Sequence, residues 1–475
     1  MRTKGILQMR LSHTRPVKSA VFDDPNLVSA AGLIPLMRMA GDAGLADLAA
    51  GLLTVPSDKG ANPGGKVSAL VAGMLAGADS IDDMALLRHG AMPRLFDQPY
   101  APSTLGSFLR SFTFGHVRQL DAVASRFLTG LSARTPLLGG GEQMLLVDLD
   151  DSVVEVHGYD KQGAGFGYTR VRGLNVLLAT ATTAESAPVI VAQRLRKGSC
   201  GSPRGAKRLV RDALSTVRAL HPAGAAGPVL LRADSAFYGR ATVGAAVRAG
   251  AAVSVTVRLD PKVKKAIASI GEDRWTPIEY PDAVFDQDTG AWISRAEVAE
   301  VPFLAFSSRT KAEQVPGRLV VRRIPDLNRP ANPGQASLFD LWRHHAFFTT
   351  SDPQLLDTVT ADKTHRHHAI VEQVFADLKN SALAHLPSGK FAANSAWLVC
   401  AVIAFNLTRA AGTLAGGSLT KATTPTLRRT LVNVPARAAF SARRITLHLP
   451  QQWPWHQAWT SLFTRTCGPP LPVTN

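Results

Sequence analysis

The chain has 475 residues, 45% of them hydrophobic, which is enough apolar material for several packed cores and predicts two to four domains. Lys plus Arg outnumber Asp plus Glu by 53 to 36, and the net charge of +17 points to a polyanionic partner, most simply nucleic acid; an arginine-inflating base composition is the plain alternative. The three cysteines, Cys200, Cys400 and Cys467, are too few and too scattered for a disulfide framework or a zinc knuckle.

That cysteine usage fits a reducing cytoplasm, and no signal peptide opens the chain. The longest apolar run, 397–405, is too short to span a bilayer and reads as a buried core helix, so no membrane partner is expected. The charge is uneven. After Asp377 there is no acidic residue, while Lys390, Arg409, Lys421, Arg428, Arg429, Arg437 and Arg444 follow.

In chain order, residues 1 to about 20 read as a loose basic arm. The stretch 32–53 is helical in pattern, a Pro/Gly-rich loop follows at 56–65, and 66–90 gives one or two further helices. The stretch from Pro102 to Leu128 is helical, with Ser103 or Thr104 as the N-cap. A helix-turn-helix fits here, with the helix near 104–112 and its Arg110 as the DNA reader; a helical bundle without DNA contact fits as well.

At Met144 the texture changes. MLLVDLD, GLNVLLATATT, APVIVAQRL, PVLLRAD and AAVSVTVRL read as five strands, with helices at 203–220 and 239–249 between the last three. The order β-β-β-α-β-α-β predicts a mixed α/β sheet. Between 260 and 350 the pattern is short strands and turns: WTPIEY, AWISRAEV, PFLAFSS, GRLVVRRI and HHAFFTT, read as a β-rich insertion. A core helix is expected near 393–411, then a tail containing a hairpin that ends at Trp453 and Trp455.

The stretch 363–380, KTHRHHAIVEQVFADLKN, reads as one amphipathic helix whose apolar stripe is Val371, Val374, Phe375 and Leu378. His365, His368, Glu372 and Lys379 fall on a single strip beside it. Upstream, Asp148 and Asp150 alternate along the first strand and share a face, while Asp151 points away. Asp234 ends the fourth strand, which is expected to neighbour the first. Converging carboxylates repel one another unless hard divalent cations sit between them. Two such ions can activate a water or a 3′-hydroxyl and stabilise the leaving oxygen of a phosphodiester. Each piece also has an ordinary reading: a strand-end turn at Asp150 to Ser152, a helix cap at Asp234, a solvated face for the histidines.

The order Asp, Asp and then Glu on a late helix, over this strand order and behind a β-rich block, resembles the ribonuclease-H-like core of DDE transposases. LLVDLDDSVVEVHG, LLRADSAFYG and IVEQVFADLKN, with PSTLGSFLRSFTFGH upstream and LHLPQQWPW downstream, resemble the insertion-sequence group numbered thirteen-eighty. The resemblance implies Asp150, Asp234 and Glu372 as catalytic metal ligands, with Asp148 the alternative to Asp150. It implies Lys379 as the lysine of a Tyr-Arg-Glu-Lys pattern whose tyrosine and arginine positions here hold His365 and His368, with Arg366 available to substitute in gripping phosphate. It further implies Mg²⁺, with Mn²⁺ able to replace it, and double-stranded DNA as substrate. The chain would bind terminal inverted repeats, cleave the ends and join 3′-hydroxyls to target DNA, as a homodimer. Trp275 or Trp292 would be the residue to stack on a flipped base. The expected organisation is a helical DNA-binding region (1–140), a first part of the catalytic core (141–259), the β-rich insertion (260–350), a second part of the core with the glutamate helix (351–412), and a basic tail (413–475). A catalytically lost DNA-binding relic and a stand-alone metal-dependent nuclease are the competing functions.

Overall fold

The computed structural model describes residues 18–469 apart from 57, 97–98, 140–142, 221–226, 287–290, 326–341 and 442–443; for 279–286, 291–295 and 325 it describes the backbone alone. The basic arm expected at the N-terminus therefore lies almost wholly outside the described residues, as does the side chain of Trp292.

The first third is helical, as its periodicity predicts, with helices at Leu33–Asp42, Leu45–Leu52, Pro63–Ala76, Pro102–Arg110 and Phe114–Ser132. Gly44, at φ +79°, divides the first helical stretch in two, because a left-handed residue cannot continue a helix. One cap differs from expectation. The helix at Pro102 starts one residue before Ser103, with Ala101 at the cap position. Proline has no N–H to leave unpaired and its φ is preset, so it takes the first helical position itself. The next helix carries a capping box between Thr113 and His116.

Core elements are labelled in chain order: β1 Leu145–Glu155, β2 Arg172–Thr182, β3 Val189–Lys197, α1 Ala206–Leu220, β4 Val229–Ala233, α2 Arg240–Arg248, β5 Ala252–Thr256, β6 Thr276–Asp286, β7 Ala291–Ala305, β8 Val315–Pro325, β9 Trp342–Thr349, α3 Thr358–Arg366, α4 Ile370–Lys379 and α5 Phe391–Ala415. The sheet order is β3-β2-β1-β4-β5-β9-β8-β7-β6. Strands β1, β4 and β5 are parallel, and β2 and β3 run antiparallel on the β1 side.

The block at 260–350 is less separate than its sequence suggests. β9 pairs antiparallel with β5 through Phe347↔Thr256, so β6 to β9 extend the same sheet. The expected strands AWISRAEV and PFLAFSS are one strand, β7, and the block opens with a helix, Pro261–Ala268, capped by Asp260.

The helix expected over 363–380 is in fact two, α3 and α4, joined by a 3₁₀ turn at His367–Ala369. Its buried apolar stripe begins only at Val371, while the first half buries a different set, Ala361, Asp362 and the His365 ring. Helix α5 is long and apolar enough to cross a membrane by length and composition, but 83% of its apolar window is buried in the protein. The N-terminal helices and β3 pack around it, and its burial is unbroken from Ala393 to Gly412. A helix apolar on all sides must be enclosed, and here the protein itself encloses it. In the tail the expected hairpin is Ala436–Ser441 with Arg444–His448, and its first strand also pairs with Leu27–Val28. A closing helix, His456–Cys467, follows and was not expected.

Candidate active site

Strand register brings two of the acids together. The parallel pairing of β1 and β4 ends at Leu149↔Ala233, so Asp150 and Asp234 are the next residues on adjacent strands. Adjacent strands lie about 4.8 Å apart. β4 stops there while β1 continues to Glu155, which leaves both carboxylates at the carboxyl edge of the parallel strands, where sheets of this kind leave a crevice. Asp234 also caps a short turn, accepting the Ala236 N–H at 3.0 Å. The ordinary and the functional readings of this residue therefore coexist.

The environment disfavours charge at these two acids. Burial, with a contribution from the Asp234 charge, pushes the Asp150 carboxyl up to about 6. Partial burial and the Asp151 charge raise that of Asp234. His368 works the other way on both.

Asp148 shares the face of Asp150 as the alternation predicts, but its carboxylate is already committed. It is fully buried and accepts from Arg232 Nε and Nη2, both at 2.7 Å, while His368 Nδ1 lies 2.9 Å from Oδ1. Asp151 points to the opposite face, as expected, where Arg196 meets it at 2.9 Å and Asn175 donates to it. Of the three aspartates on β1, Asp150 alone keeps a carboxylate without a cationic partner at contact distance among the described residues.

Glu372 lies in the first turn of α4, and two contacts fix that helix along β1. At one end His368 meets Asp148; at the other Lys379 Nζ donates to Ser152 Oγ at 2.7 Å. The anchors are about 16 Å apart on the helix side and about 13 Å on the strand side, so α4 runs alongside β1 in the same direction. Glu372 is one turn beyond His368, and Asp150 is midway between Asp148 and Ser152. Glu372 is exposed. Among the described residues no three His, Cys, Asp or Glu side chains stand close enough together to hold a metal ion. Asp150 and Asp234 are brought together, and Glu372 faces solvent on the helix beside them.

His365 is not on the strip with His368. Its ring stacks on Phe347 at 4.1 Å, and its two nitrogens lie 2.8 Å from Ser254 Oγ and 2.9 Å from Thr256 Oγ1. Burial pushes it down to about 3, so it is neutral at ordinary pH. Arg366 pairs with the buried Asp362 at 2.9 Å. Arg110 is exposed at the end of its helix, and its carbonyl accepts from Lys390. Trp275 lies under the Arg323 guanidinium at 4.2 Å, with Trp342 also against that group at 4.4 Å, which occupies a ring face that a base would need.

Sequence reasoning missed Arg232. It is fully buried, and besides Asp148 it donates to the carbonyls of Thr364 and His367, at the joint between α3 and α4. The signal was present: PVLLRAD sets one arginine inside a buried strand, and a buried charge requires a partner.

A family model described as transposase DDE domain group 1 matches residues 10–467 of this chain. The chain belongs to that family of DDE transposases. Its function is thus DNA transposition, and its family works on DNA with divalent metal ions. A comparison with curated proteins finds no match. In the transposase, the oxygen-only donor pair Asp150 and Asp234 fits such an ion: each carboxylate is disfavoured as an anion by burial and by negative neighbours, and a divalent cation relieves both.

Proposed function

We propose that this transposase cleaves the terminal inverted repeats of an insertion sequence of the group numbered thirteen-eighty and joins the 3′-hydroxyls to target DNA, using Asp150, Asp234 and Glu372 as its catalytic carboxylates. The observation that carries this reading is the end of the β1/β4 register at Leu149↔Ala233, which sets Asp150 beside Asp234 at the carboxyl edge. The central strand order, with antiparallel β2 and β3 on one side of parallel β1, β4 and β5, supports a ribonuclease-H-like core.

Asp150 and Asp234 would hold Mg²⁺, or Mn²⁺ in its place, and Glu372 would be the third donor. Bound divalent ions supply a lowered pKa for the attacking oxygen and charge stabilisation for the leaving one. The protein's own residues do the rest. Arg232 neutralises Asp148, so the site carries one anion fewer and Asp150 is the free acid. Arg232 and His368 together fix the α3/α4 joint against β1, and Lys379 fixes the far end of α4. Glu372 is thereby held at the height of Asp150. Lys379 sits in a partly buried setting that lowers its pKa, with the Asp150 charge opposing that effect; in this reading it would meet a phosphate oxygen beside the acids. The acid-free tail and exposed Arg110 add positive charge for the DNA backbone, and the need to bring two ends together favours a homodimer on DNA.

The test uses a labelled duplex carrying the DNA that flanks the gene, incubated with Mg²⁺ and a target plasmid. Metal-dependent cleavage at the end, followed by joined product, is the expected result. Cleavage that ignores the end sequence and gives no joined product would mark a stand-alone nuclease. End binding with no cleavage would mark a DNA-binding relic.

A further inference from the structure

His365 and His368 both lie at the joint between α3 and α4, and the fold uses them differently. His365 has both nitrogens occupied, by Ser254 and Thr256, and its ring is enclosed against Phe347. His368 has one nitrogen occupied. Its Nδ1 lies 2.9 Å from Asp148 Oδ1, and among the described residues its Nε2 has no hydrogen-bond partner. The His368 side chain is 17% exposed while the Asp148 side chain is fully buried, so the ring reaches from a buried anchor toward solvent.

The tautomer of His368 follows from that anchor. Both oxygens of Asp148 already accept from Arg232, Nε on Oδ1 and Nη2 on Oδ2, each at 2.7 Å. A carboxylate held in this way offers lone pairs and no proton, so the hydrogen between it and His368 belongs to Nδ1. Nε2 is left with a lone pair, the form in which an imidazole takes up a proton. The same ion pair fixes the backbone under the ring. Arg232 donates to the carbonyls of Thr364 and His367, at the 3₁₀ turn His367–Ala369 that carries His368.

The ring stands on the face of β1 that carries the acids. Asp148 and Asp150 share that face two residues apart, about 7 Å along the strand. The β1/β4 register sets Asp234 beside Asp150. In an imidazole the two nitrogens face away from each other, so Nε2 is on the edge turned from Asp148. A buried carboxylate, an imidazole bonded to it through Nδ1 and an open Nε2 make up the pair that serves as a base in acyl-transfer sites. The Tyr-Arg-Glu-Lys pattern has an arginine at this position, which donates but never accepts; the histidine adds an acceptor.

We propose that His368 is a catalytic residue of strand cleavage, its Nε2 taking the proton of the water that attacks the phosphodiester. This rests on the transposase reading above. The water O–H bond breaks toward Nε2 while the water oxygen forms its bond to phosphorus. The bond from phosphorus to the 3′-oxygen breaks, and that oxygen leaves with the electron pair and takes a proton from solvent. Asp148 stays ionised and stabilises the imidazolium, which then returns its proton to solvent. In the joining step the same nitrogen takes the proton of the attacking 3′-hydroxyl.

The experiment is single-turnover cleavage of the labelled DNA end by the full chain with Mg²⁺. His368→Asn keeps an amide N–H for Asp148 and puts nothing in place of Nε2, whereas His368→Ala leaves room for an added base. Both should bind the end in chelator like wild type and cleave it about a hundredfold more slowly or worse. Added imidazole should restore part of the His368→Ala rate, and substituted imidazoles should do so in order of their basicity. A second readout needs no metal. In ¹⁵N-histidine-labelled protein in chelator, the signal missing from His368→Asn should carry hydrogen on Nδ1 and none on Nε2. Cleavage by His368→Asn at the wild-type rate, no rescue by any imidazole, or a hydrogen on Nε2 overturns the proposal and leaves the transposase reading standing. Failure of wild type to cleave overturns both.

Discussion

Arg232 grips Asp148 through two hydrogen bonds of 2.7 Å in a site where neither side chain reaches solvent. The same guanidinium holds two carbonyls at the α3/α4 joint, so one buried ion pair links β1, β4 and the start of the glutamate helix. Leaving one charge of such a pair unpaired costs about 3–5 kcal/mol. Asp148→Asn and Arg232→Met should each destabilise the protein by that order, measured by urea unfolding. The double variant Asp148→Leu with Arg232→Met should regain much of the loss. Asp148→Asn at wild-type stability would contradict the assignment of Asp148 as structural.

Asp150 should respond in the opposite sense. Its carboxyl is pushed up to about 6 from an ordinary 3.8, so the fold prefers it protonated. Its contribution to stability is full below about pH 4 and is lost as pH rises through about 6. In chelator at about pH 8, Asp150→Asn should raise stability on the order of 1–3 kcal/mol, and the gain should fade as pH drops below about 4. Metal affinity should weaken as pH falls through about 6, because the proton competes for the same oxygens. A stability difference independent of pH would contradict this account of the carboxyl.

His365 tests whether the histidine strip grips phosphate. It is neutral and enclosed by Phe347, Ser254 and Thr256, so His365→Ala should cost about 1–3 kcal/mol of stability. It should leave the salt dependence of DNA binding unchanged, since no phosphate contact is lost. Lys379→Gln, by contrast, should reduce the salt slope by about one unit. A reduced slope in His365→Ala would return that residue to the DNA interface.

Asp377 is the last acid in the chain and is used up inside it. Its carboxylate accepts the Thr424 N–H at 2.8 Å and the Thr424 hydroxyl at 2.9 Å, and Arg409 lies 3.3 Å away. It therefore fastens the basic tail to α4. Asp377→Ala should cost about 3 kcal/mol and expose the tail to limited proteolysis. Unchanged proteolysis would contradict the tether.

Much of this was legible before the fold. The alternation of Asp148, Asp150 and Asp151 gave their faces correctly, and strand texture found β1 to β5. Periodicity could not show that the glutamate helix breaks at His367–Ala369, because the residues before the break satisfy a helical pattern while their partners lie far away in sequence, on β4 and β5. Spacing alone could not separate Asp148 from Asp150. That choice depends on where Arg232 points, which is a tertiary fact. The extension of the sheet by β9 was hidden for the same reason, since pairing with β5 leaves no local mark.

The most direct test of the account is cleavage of the labelled DNA end with Mg²⁺ by wild type, Asp150→Asn, Asp234→Asn and Glu372→Gln, each checked for folding and for DNA binding in chelator. The account predicts that all four bind DNA and that each substitution lowers the cleavage rate by about a thousandfold or more. Cleavage and joining at the wild-type rate by Glu372→Gln would contradict it, since the helix pinned beside β1 would then be carrying no catalytic group.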